Sequence, residues 1–143
     1  MKSLVTLIKL YTRQLDEKRR EMVVLEQKKL QLEAALERLR EELKREQAIA
    51  ASSQEARYSY SSYAKSNNER QQKFIQSISE VDIKIYTLTH TISLLYSEIK
   101  KFEIASNNKK RQVEQEETRK EDIRLADIAL KAHMKREEED TNS

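Results

Sequence analysis

The chain has 143 residues and contains no Gly, Pro, Cys or Trp, and its charged fraction of 37% equals its hydrophobic fraction. Gly and Pro make tight turns at low conformational cost, so their absence excludes a compact many-turn domain and fits a chain of few, long helices. Lys plus Arg number 28 against 25 Asp plus Glu, and with the two signs interspersed the small excess argues against a nucleic-acid face, where basic residues gather to neutralise successive phosphates.

Residues 1–11 carry Lys2 and Lys9 around a short apolar patch. No run approaches the roughly 18 to 20 apolar residues that cross a bilayer, and no small-residue cleavage site follows, so the stretch reads as mature sequence. Without cysteine there is no disulfide framework and no thiolate metal site, and cytoplasm is the expected location.

The first predicted helix covers about residues 3–58. Stepping alternately by four and three from Leu4 gives Leu4, Ile8, Tyr11, Leu15, Lys18, Met22, Leu25, Lys29, Leu32, Leu36, Leu39 and Leu43, ten of them apolar. A repeat of about 3.5 residues keeps one stripe facing a partner helix, the seam of a coiled coil. Lys18 and Lys29 interrupt it, with aliphatic stems that can lie along the seam. The continuation through Glu46, Ala50, Ser53, Arg57, Tyr60, Ala64, Asn67 and Gln71 reads as no seam. Residues 59–68, dense in Ser, Tyr and Asn, are therefore the predicted turn.

The second predicted helix covers about residues 69–136, followed by a frayed tail at 137–143. Its stripe, Phe74, Ile78, Val81, Ile85, Leu88, Ile92, Leu95, Ile99 and Phe102, has no polar member. Beyond it Ser106, Lys109, Glu116 and Lys120 fall on the stripe before it resumes at Ile123, Leu130 and Met134, so 107–120 reads as helical but poorly packed. Two architectures satisfy this periodicity. One is all-α, an antiparallel two-helix coiled coil or long α-hairpin; the other is a parallel homodimer of one continuous helix of about 135 residues, about 200 Å long. The change of composition between the stripes favours the hairpin.

Catalytic and metal motifs are absent. His90 and His133 stand alone, glycine-dependent phosphate loops cannot form, and a two-helix coiled coil offers no cleft in which to perturb a carboxylate. The chain is therefore expected to be no enzyme and to need no cofactor. Asp16 and Glu17 followed by Lys18, Arg19 and Arg20 wrap positive charge around the helix, which suits an acidic docking surface. Phe74, Ile78, Val81 and Ile85 lie on one helix face; if the turn just precedes them and α-helical cover is incomplete, they form a partner site near Tyr58, Tyr60 and Tyr63.

Three stretches resemble the FliJ-type proteins of bacterial flagellar (type III) protein export, in particular their alphaproteobacterial members. They are Leu15-Asp16-Glu17-Lys18-Arg19-Arg20 with Leu25-Glu26; Phe74-Ile75-Gln76-Ser77-Ile78, similar to a central F-I-x-x-[LI] pattern; and Lys101-Phe102-Glu103-Ile104-Ala105, continuing through Asn108, Arg111 and Arg119 to Leu125, Asp127, Ile128, Ala129 and His133. The resemblance implies an antiparallel coiled coil similar to the stalk of rotary ATPases, cytoplasmic and peripheral to the inner membrane at the flagellar base. Its implied partners are the hexameric export ATPase, entered by the end bearing both termini, the cytoplasmic domain of the membrane export gate, and export chaperones. By position it assigns gate binding to Phe74, Ile78, Val81 and Ile85. Arg13, Lys18, Arg19 and Arg20, with Arg119 and Lys120 of the returning helix, become ATPase-binding candidates if facing residues have numbers adding to about 124, which sets Leu4 opposite Lys120.

Overall fold

The computed structural model describes residues 2–142, and the described chain is two α-helices, α1 (Lys2–Ala50) and α2 (Gln54–Thr141). Strong helix formers fill both, and no described residue adopts a positive φ. The helices pack antiparallel as an all-α hairpin. By packing they divide into one unit of Tyr11–Ser97 and another of Met1–Leu10 with Glu98–Ser143.

The turn lies at residues 51–53, before the predicted 59–68, so α1 ends short of residue 58 and α2 begins well before residue 69. Two serines and an arginine replace the missing glycine. Ser52 Oγ donates to the Ile49 carbonyl at 2.7 Å, and Arg57 Nε donates to the Ala50 carbonyl at 3.2 Å, so the last two carbonyls of α1 are satisfied. Ser53 Oγ accepts the Ala56 N–H at 3.4 Å as the N-cap of α2, and Glu55 sits in its first turn, where the helix dipole favours a carboxylate. The serines and asparagines of 59–68 stay helical instead. Ser59 Oγ, for example, donates back to the Ala56 carbonyl.

Within Tyr11–Ser97 every residue of the two stripes is buried or half-buried, Leu39 and Val81 most completely at 4% and 3% exposure. The region read as lacking a seam also packs inward. Ala50 and Asn67 are buried, and Tyr60, Ala64 and Gln71 are half-buried. Hydrogen bonding makes the polar layer tolerable. Asn67 Nδ2 donates to the Leu39 carbonyl at 3.0 Å, and Gln71 Nε2 donates to Asn67 Oδ1 at 2.6 Å. Among the described residues no buried side-chain nitrogen or oxygen lacks a partner.

The Asn67–Leu39 bond and an ion pair of Lys29 with Asp82 at 2.7 Å fix the register, in which these facing residues have numbers adding to 106 and 111. The expected 124 is therefore corrected, because a hairpin's register follows its turn and the turn comes earlier. In the other unit the stripe leaves Leu4 half-buried and ends at buried Ser106, so Leu4 does not face Lys120. Residues 107–142 are exposed throughout. They remain helical to Thr141, whose Oγ1 donates to the Glu137 carbonyl at 2.7 Å, where a frayed tail from 137 was expected.

Asn67→Ala is expected to lower the free energy of unfolding by about 1–3 kcal/mol, because Gln71 and the Leu39 carbonyl lose their partner. Asn67→Leu keeps or raises stability but loosens register, which would double amide resonances near the turn. Ser53→Ala should cost about 1 kcal/mol as a lost N-cap. Urea unfolding followed by circular dichroism measures all three.

Candidate functional site

The gate candidates are brought together as the spacing requires, but they face α1. Val81 is buried, and Phe74, Ile78 and Ile85 are half-buried in the seam, so they form no exposed patch. The turn they were expected to follow lies about twenty residues upstream, and α1 continues past their level. Tyr58 is 92% exposed, whereas Tyr60 and Tyr63 are half-buried.

The basic candidates divide between the two units. Arg13, Lys18, Arg19 and Arg20 belong to Tyr11–Ser97, whereas Arg119 and Lys120 belong to the unit containing Glu98–Ser143. Lys18 is half-buried on the seam and pairs with Glu21 at 3.4 Å, and Arg19 approaches Asp16 at 4.0 Å. Arg119 grips Glu116 with two donors of its guanidinium. That contact holds the Glu116 carboxyl below its ordinary range and Arg119 above its own. Arg13 and Arg20 are exposed.

Two features lie outside the predicted sites. The first is a groove of about 720 Å³ between α1 and α2 in Tyr11–Ser97, floored by Val24, Leu25 and Ile83 and rimmed by Lys18, Arg20 and Lys84. Val24 and Ile83 are 63% and 64% exposed. Both sit off the seam stripe, so a search along one stripe passes over them.

The second is the end of α2. Ile123, Leu125, Ile128, Leu130 and Met134 are all more than half exposed. At about 100° per residue Leu125 and Ile128 point away from the stripe of Ile123, Leu130 and Met134, and Ala126, Ala129 and Ala132 extend the apolar surface between them. Apolar groups thus occupy about three-quarters of the circumference. The sequence carried this signal in its off-stripe residues, which a heptad count discards.

Among the described residues no group of three or more His, Cys, Asp or Glu could hold a metal ion. His133 lies 3.1 Å from Glu137 along the helix. No described helix is long and apolar enough to cross a membrane. Compared with models of protein families, with curated proteins and with solved structures, the chain matches none.

The Lys29–Asp82 ion pair crosses the seam. The hydrogen bond and charge of Asp82 raise the Lys29 pKa above the ordinary lysine value. A raised lysine contributes stability that is complete below its unfolded pKa and is lost as pH rises through its higher folded pKa. Thermal melts across an alkaline series should therefore show a loss of stability above about pH 10 that shrinks in Asp82→Asn. An unchanged alkaline profile in that variant would show the pair to be without effect.

Proposed function

We propose that this chain is a FliJ-type component of a bacterial flagellar or related type III protein-export apparatus. In this reading it is a stalk-like coiled coil that binds the hexameric export ATPase and the cytoplasmic domain of the membrane export gate, and assists export chaperones. The sequence resemblance supplies the identity of the partners. The antiparallel hairpin is the architecture that the resemblance implies.

One observation carries the ATPase part of the reading. Residues 123–134 of α2 are apolar on most of their circumference, and their large apolar side chains are more than half exposed. A single partner helix covers one stripe only, whereas apolar residues spread over several faces of a helix are buried together only when the helix is surrounded. The lumen of a protein ring surrounds a helix in that way. Exposed Arg13 and Arg20 add positive charge for an acidic docking surface.

The gate contact rests on the resemblance alone. With Phe74, Ile78, Val81 and Ile85 packed in the seam, binding through them requires α1 to move aside. Phe74→Ala and Ile78→Ala would then affect hairpin stability and gate binding together.

The test is co-purification with the export ATPase and swimming motility of a strain carrying the variant. Leu125→Asp with Ile128→Asp lies off the seam and should leave helix content intact while reducing ATPase capture at least tenfold and abolishing motility. Charge reversal of Arg19 and Arg20 should weaken capture in a salt-dependent way. Full capture and normal motility in the Leu125/Ile128 variant would refute the reading.

A further inference from the structure

Residues 107–141 of α2 end in two blocks of opposite charge. Lys109, Lys110 and Arg111 stand at one end, and Glu137, Glu138, Glu139 and Asp140 at the other. Between them Arg119–Glu116, Arg124–Glu121 and Lys131–Asp127 pair along the helix, while Glu114, Glu117, Lys120, Asp122, Lys135 and Arg136 form no ion pair among the described residues. No ion pair among the described residues holds Lys109, Lys110 or Arg111. The cationic block is therefore exposed and unused.

The spacing of the blocks is informative. Lys110 and Glu138 are twenty-eight residues apart, which is four heptads, so they occupy the same position beside the seam stripe. That position flanks the stripe on one side, where equivalent residues of two antiparallel helices meet. A parallel pair of these segments would set cations against cations and carboxylates against carboxylates. An antiparallel pair sets each cationic block against the acidic block of the other copy, twice by symmetry.

From this charge pattern we infer that residues 107–141 pair antiparallel with the same segment of a second copy of this chain, about a two-fold axis at Arg124. The same register brings Glu117 of each copy to Lys131 of the other. On the stripe, Leu130 lies over the stem of Lys120 and Met134 over that of Glu116 in the second copy. The two Arg124 side chains meet at the axis, each already neutralised by its own Glu121 at 2.6 Å. The buried stripe is thin, so the dimer is reversible and its population follows protein concentration. Added salt weakens it, because complementary exposed charge sets its orientation.

This pairing covers the stripe of Ile123, Leu130 and Met134 and leaves Leu125 and Ile128 open; a lumen that encloses a single α2 end has no room for a second copy, so the two associations exclude one another. The inference rests on exposure and charge, and its test needs only the purified chain, so its failure leaves the export reading standing. Sedimentation over a concentration series should show a monomer–dimer equilibrium. Reversing Lys109, Lys110 and Arg111 to Glu should weaken it on the order of tenfold or more, and adding Glu137→Lys, Glu138→Lys and Glu139→Lys to that variant should restore it. The chain has no cysteine, so single cysteines report orientation directly. Arg124→Cys should join two copies through a short thiol cross-linker, whereas Lys110→Cys should not. A monomer at every concentration, cross-linking of Lys110→Cys, no cross-linking of Arg124→Cys, or failure of the swapped charges to restore the dimer would each overturn the proposal.

Discussion

Each helix of the Tyr11–Ser97 unit carries an apolar stripe only one or two side chains wide, and neither stripe can be buried by its own helix. Contact between them is the apolar burial that this unit has, with Leu15, Leu36, Leu39, Val81 and Leu88 at its centre. Helices of this length draw most of their stability from such packing and little from propensity. The placement of every other side chain in the unit, including which basic residues reach solvent, follows from the register of that seam.

Polar groups set the register more sharply than the apolar ones. Leucine and isoleucine accept many neighbours, so a slip of one heptad along the stripes changes their burial little. Asn67 does not tolerate that slip, because its amide is almost wholly buried and has its acceptor at Leu39 and its donor at Gln71. A displaced Asn67 would be buried without partners, at a cost of about 1–3 kcal/mol. Lys29 with Asp82 selects the same alignment from the solvent side.

The contrast between the seam and the end of α2 separates apolar residues that the fold buries from apolar residues that it leaves exposed. Phe74, Ile78, Val81 and Ile85 are spent on folding, whereas Ile123, Leu125, Ile128, Leu130 and Met134 stabilise nothing in the isolated chain. Exposed apolar surface on an otherwise charged helix is costly in water, and its presence marks a surface meant to be covered. A ring that encloses the helix and a second copy that lies along it are two ways of covering it. They differ in how much of the circumference they reach.

The sequence by itself determined the class and both stripes. Spacing of four and three from Leu15 to Leu43 and from Phe74 to Leu95 names the residues that pack, because heptad periodicity is a local property of a helix. It did not determine the turn. Ser52 and Arg57 donate to carbonyls three and seven residues away and Ser53 accepts the Ala56 N–H, and no residue type there demands a turn as glycine would. Nor did it reveal that Asn67 and Gln71 belong to the seam, since their burial depends on an acceptor twenty-eight residues distant. Only the tertiary structure decided the register, and with it that the gate candidates face inward and that 107–142 remains uncovered, because facing residues are fixed by where the chain reverses and by which polar pairs close across the seam.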